Sequence, residues 1–128
     1  MTRLRAYWAT SAALLSALAG IGFYAVARHT PVVAARDVLV FDTTQNVAHA
    51  VLAAVSLVMA FVPDRFAMPG ARVAGISYLG LAALGFVSGS LFGLGTRVGL
   101  RLELAENGVH LALGAWGTLV GYQTKKRN

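Results

Sequence analysis

Two short stretches carry the residue types that could do chemistry. Asp42-Thr-Thr-Gln-Asn46-Val-Ala-His49 lines up with Glu103-Leu-Ala-Glu-Asn107-Gly-Val-His110 at a constant offset of 61 residues. Acid, Asn and His stand at i, i+4 and i+7 in both copies, spacings that share one face of a helix. Three chemistries follow from such a set. Asn46, His49, Asn107 and His110 could hydrogen-bond across the two helices, with Asp42, Glu103 or Glu106 partnering a His of the other repeat. Such a cluster pins two units in register, as buried polar groups do in other bundles. His49 and His110 could instead ligate the iron of a haem b axially, or one of them a chlorophyll-type pigment, with small neighbours making room for the macrocycle. A proton relay or small transporter is the third alternative.

The elements that position these residues follow from apolar patterning. Of the 128 residues, 57% are hydrophobic and 12% charged, and mean hydropathy is +0.65. A soluble domain carries about 25% charged residues, so this chain has too few to wet a globular surface. A hydrocarbon core about 30 Å thick takes roughly 20 apolar residues in helix. Four stretches meet this need, over about 7–27, 44–62, 73–94 and 103–122; the last reaches across only with its polar flank. Backbone amides in hydrocarbon must bond internally, so the stretches are helices. The expectation is one all-α transmembrane domain over 1–128, a membrane four-helix bundle built from two tandem helical hairpins.

Breaks separate the stretches. Thr30-Pro31 ends the first, because the residue before proline avoids helical angles. Pro63-Asp64-Arg65 and Met68-Pro69-Gly70 predict a short loop before the third. Gly93, Gly95 and Gly99 loosen the connection to the fourth. Asp42 is a good N-cap, with Gln45 at capping-box spacing. Arg3 and Arg5, an apolar run and Val33-Ala34-Ala35 also fit a cleaved signal peptide, but the run exceeds the usual signal core, and the repeat needs the first helix.

The net charge of +6 could suggest nucleic acid, yet the basic residues sit between apolar runs and at the ends. That is a topology pattern, and no nucleic-acid partner is expected. Arg3, Arg5, Arg65, Arg72, Lys125, Lys126 and Arg127 fall on one face. Arg28, Arg36, Arg97 and Arg101 fall on the other. The excess places both termini in the cytoplasm. Asp37, Asp42, Glu103 and Glu106 then lie outside, with only Asp64 inside. His29 reads as solvated, Tyr7, Trp8 and Tyr122 as an interfacial belt, and Trp116 as packing.

Below each His the same face continues with small residues: Ala53, Ser56 and Ala60 in the second helix, Gly114, Gly117 and Gly121 in the fourth. Gly85, Gly89 and Gly93 form a further ridge on the third. Small residues let membrane helices approach closely, so these positions are expected to be helix-packing seams. The hairpins begin on the same side, which makes them a parallel repeat about an axis along the membrane normal. The chain has no cysteine, no HExxH, no GxSxG and no Walker loop, and no enzyme or metal site is expected.

A Gly-Phe helix, a loop and Asn-x-x-His opening the next helix, repeated, resembles a family of small bacterial four-helix membrane proteins of unknown function. The matching residues are Gly22-Phe23 with Asn46 and His49, and Gly85-Phe86 with Glu106, Asn107, His110 and Gly114. Ala53 departs from the pattern, where Gly is expected. The resemblance implies four spans and an Asn/His pair per repeat, and no activity. The expected setting is the bacterial inner membrane, with the lipid bilayer as partner. The expected role is a structural or accessory subunit of a larger membrane complex, or a homo-oligomer.

Overall fold

The computed structural model describes residues 2–28, 43–88 and 104–123. They form four helices and, among the described residues, no strand: α1 (Arg3–Ala27), α2 (Thr43–Phe61), α3 (Asp64–Ser88) and α4 (Leu104–Tyr122). Thr2 starts α1. Its backbone is extended, and its hydroxyl accepts the Arg5 amide at 3.2 Å, satisfying one of the donors a helix start leaves open. At the far end the Arg28 amide donates to the Tyr24 carbonyl at 3.1 Å.

The loop expected over 63–72 is almost absent. Only Val62 and Pro63 separate α2 from α3. The Pro63 carbonyl accepts the amides of Phe66 and Ala67 at 2.9 and 3.1 Å, and Asp64 lies in the first turn, where a negative charge suits the helix dipole. Pro69 stands inside the helix. It sits in the second turn, so its missing N–H forfeits one hydrogen bond rather than ending the helix. The third helix therefore begins nine residues before the expected Val73.

Packing is closest within the pairs α1/α2 and α3/α4, so the tandem hairpins are present. α1 also lies against α3 and α4, whereas α2 and α3 touch only lightly, despite their two-residue connection. Burial repeats as the hairpins do. Every buried residue of α2 has a buried counterpart 61 positions on: Gln45 with Glu106, Asn46 with Asn107, His49 with His110, Ala53 with Gly114, Ser56 with Gly117, Ala60 with Gly121. The odd helices agree at an offset of 63. Leu4, Trp8, Ala12, Leu15, Ala19 and Gly22 match Ala67, Ala71, Gly75, Tyr78, Ala82 and Gly85. α1 adds Tyr7 and Ser11 to this stripe, a second face turned to the other hairpin.

The α3/α4 seam is built on glycine. A Cβ at Gly75 would run into the backbone of Gly117 and Thr118. One at Gly114 would stand 3.0 Å from the Gly75 carbonyl oxygen, and one at Gly121 2.7 Å from the Arg72 nitrogen. These backbones approach closely because no side chain intervenes. Gly75 belongs to this seam, and nothing in the sequence pattern singles it out. Of the expected ridge on α3 only Gly85 is described; Gly89 and Gly93 lie outside the described residues.

Tyr7 and Trp8 are not interfacial belt residues. Tyr7 is 0% exposed and Trp8 4%. The Trp8 indole donates to the Ala67 carbonyl at 3.2 Å, and the Tyr7 ring meets Trp116 edge-on at 5.6 Å between centroids. Near a helix start, hydropathy does not separate the two roles; the position on the α1 stripe does. Tyr122 is exposed, with the Arg72 guanidinium 4.8 Å above its ring.

Candidate functional site: a polar layer between the repeats

The polar residues of α2 and α4 meet in one layer. Gln45, Asn46, His49, Glu106, Asn107 and His110 are all buried. Glu106 holds the centre. Its Oε2 accepts the Gln45 side-chain amide, and its Oε1 lies 3.8 Å from His49 Nε2. Gln45 and Glu106 occupy the same position in successive repeats, so the repeat brings them face to face across the bundle. A carboxylate is costly to bury unless it is paired or hydrogen-bonded, and the partners of Glu106 come from α2.

The two Asn residues have different surroundings. Asn107 rests against Gly85, where any Cβ would collide with its amide. That contact explains the glycine in the Gly85-Phe86 pair: it is the floor under Asn107. Asn46 is 0% exposed, and neither its Oδ1 nor its Nδ2 has a hydrogen-bond partner among the described residues. The Nδ1 atoms of His49 and His110 are also buried with no partner among the described residues. The His110 ring stacks on Tyr78, with centroids 5.6 Å apart and planes 17° apart.

The sequence points to Asn46, His49, Asn107, His110 and Glu106, and the fold gathers all five. It does not single out Gln45 as a partner of Glu106, although the 61-residue offset aligns the two; the polar signal there reads as capping. Tyr78 gives no signal at all, being an aromatic residue in an apolar run. Asp42, Glu103 and His29 lie outside the described residues.

The opposite end of the bundle carries a second repeated device. An Arg5 guanidinium nitrogen donates to the Ala60 carbonyl at 2.8 Å, and Arg72 donates to the Gly121 carbonyl. Each arginine of an odd helix thus caps the C-terminal end of its own even-helix partner, where carbonyls lack helical donors and a positive charge is favoured. Ala60 and Gly121 are repeat equivalents. In the sequence these arginines carry only a topology signal.

Chemically, the layer can hold a proton on Glu106 or His49, or lock two hairpins in register. Among the described residues, no group of three or more His, Cys, Asp or Glu side chains could hold a metal ion. No protein-family model matches this sequence, and no curated protein or solved structure matches it either.

Proposed function

We propose that the chain is an integral membrane protein that crosses the bacterial inner membrane four times, with both termini in the cytoplasm, and acts as a structural or accessory subunit. The observation that carries this reading is an inverted distribution of polarity. The interior holds Gln45, Asn46, His49, Glu106, Asn107 and His110, while Val73, Phe61, Leu119 and Val87, the last 88% exposed, point outward. Large apolar side chains crowd the outside of every helix, far beyond what a soluble monomer of this size shows. Among the described residues, α1, α2 and α3 are long and apolar enough to cross a membrane. α4 is as long as α2 but carries Glu106, Asn107 and His110. Because these face inward, it crosses with the others. The same reading keeps the chain with the small bacterial four-helix proteins that its Asn-x-x-His repeat resembles.

The absence of cysteine makes the topology directly testable. Single cysteines at Thr2 and Gln123 should resist an impermeant maleimide in intact spheroplasts and react in inside-out vesicles. Labelling of either one in intact spheroplasts refutes the topology. The subunit role is tested by crosslinking in native membranes; a protein recovered only as an uncrosslinked monomer refutes it.

A second reading, a proton relay, draws on the Glu106–His49 contact alone. It predicts proton flux in proteoliposomes that Glu106→Gln abolishes; flux unchanged by that variant removes it.

A further inference from the structure

Internal symmetry predicts a contact on one side of the bundle that is missing on the other. On the α1/α4 side the Tyr7 ring packs edge-on against Trp116, and its hydroxyl lies over Gly117, where a Cβ would stand 2.7 Å from the phenol Cζ. The repeat maps Tyr7 onto Gly70, Gly117 onto Ser56 and Trp116 onto Val55. The twin of the Tyr7 seat therefore lies between α2 and α3, where Gly70 replaces the tyrosine and the tip of Met59 and the edge of the Trp8 ring lie over it.

The structure has a groove at that place, of about 460 Å³, lined among others by Gly70, Ser56 and Val55. It is the gap left where α2 and α3 splay. It runs along the helices from Trp8 and Gly70 to Leu52 and Leu81. Gly70 to Leu81 is 11 residues of one helix, or roughly 16 Å at the α-helical rise. Its rim residues Val55 and Val73 are exposed on the apolar outer surface, so it opens sideways onto that surface.

We infer that this groove between α2 and α3 seats one acyl chain of a bilayer lipid, on the side where Gly70 stands in place of Tyr7. The inference rests on the membrane reading above. An apolar groove left empty forfeits the dispersion contacts of every atom lining it. The groove is long, narrow, almost wholly apolar and parallel to the helices, so its shape and chemistry match a hydrocarbon chain entering from the side. At one end of the groove Gly70 makes room for the side chains that wall it. A Cβ there would meet the tip of Met59 and lie 3.3 Å from the Trp8 ring.

Trp8 reports on this site. It is buried within the protein, yet it lines the groove. Trp116, the other tryptophan, packs against Tyr7 on the opposite side. In a Trp116→Phe protein reconstituted into dibrominated phosphatidylcholine, Trp8 emission should be lost as strongly as that of a tryptophan placed at the exposed Phe61. Ser77→Phe, at the exposed rim, should restore it. An unquenched Trp8 beside a quenched Phe61→Trp overturns the acyl-chain site and leaves the membrane reading intact. If neither is quenched, both fail. Quenching that Ser77→Phe does not relieve overturns the site as well. If Trp116→Phe folds poorly, a diazirine-bearing phosphatidylcholine photolysed against the unaltered chain tests the same site. Adducts should concentrate on Met59 and Ser77; adducts spread evenly over the outer faces overturn the inference. A second copy in the groove would leave Trp8 unquenched and the chain dimeric, which also overturns it.

Discussion

Gln45 on α2 donates its side-chain amide to the carboxylate of Glu106 on α4, and the two residues hold the same position in successive repeats. The repeat therefore differs at the point where its two copies meet. An acid at both positions would set two carboxylates against each other in a water-poor layer, where like charges repel strongly. An amide at both would leave no acceptor of matching strength. One of each gives a matched donor and acceptor, with His49 beside them.

This asymmetry makes a double-mutant cycle informative. Gln45→Leu or Glu106→Leu alone takes one hydrogen bond from a buried polar partner and should cost about 1–3 kcal/mol. The double variant should cost less than the sum of the two, because the shared hydrogen bond is lost only once. Gln45→Glu should cost more than Gln45→Leu. Reversible unfolding in detergent measures all four; strict additivity removes the pairing as a register lock.

How much of the molecule is legible in its sequence depends on the kind of signal. Hydropathy and the 61-residue offset give the four helices, the hairpins and the Asn/His layer, because burial in a helix imposes a period that the sequence displays. The start of α3 is hidden by Pro63, Pro69 and Gly70, which read as a loop. Proline early in a helix costs only one hydrogen bond, so their punctuation misleads. The roles of Tyr7, Gly75 and Tyr78 depend on which face of a helix meets which neighbour, and single-helix patterns do not encode that.

The imidazoles bear on the cofactor question. The Nε2 of His49 is turned to Glu106, and Tyr78 covers one face of His110. Bis-histidine haem ligation needs one nitrogen of each ring aimed at a single iron. Purified protein should show no Soret band. A band that His49→Ala and His110→Ala both remove would establish the haem alternative in place of the register lock.

The glycines divide into two classes with opposite expectations. Gly75→Leu and Gly114→Leu drive side chains into backbone across the α3/α4 seam and should lower the unfolding midpoint sharply. A Cβ at Gly80 meets nothing within 4 Å. Gly80→Ala should be neutral or stabilise by up to about 1 kcal/mol, because alanine is the better helix former. Equal effects of Gly75→Leu and Gly80→Leu on the midpoint would remove the close seam.

The arginine caps should act independently. Arg5→Ala frees the Ala60 carbonyl and Arg72→Ala frees that of Gly121. Each loss should cost about 1 kcal/mol, the scale of hydrogen bonds and helix-end charges combined. The two sites cap different hairpins, so the double variant should show the sum. Unfolding midpoints that do not move would reduce both arginines to their role in orientation.

Tyr7→Ala tests the broken symmetry from its filled side. Removing a ring that is fully buried leaves a cavity over Gly117 and beside Trp116, and large-to-small changes of this kind cost about 3–5 kcal/mol. Gly70 stands at the matching position at one end of the α2/α3 groove. Tyr7→Ala should therefore turn the α1/α4 side into a second copy of that groove. Because the Tyr7 ring also meets Trp8 edge-on at 5.0 Å, Trp116 is read in a Trp8→Phe background, where brominated lipid should quench it more strongly once Tyr7 is removed. Unchanged Trp116 emission, with a folded protein confirmed by helix content, would show that Tyr7 does not fill the twin of the groove.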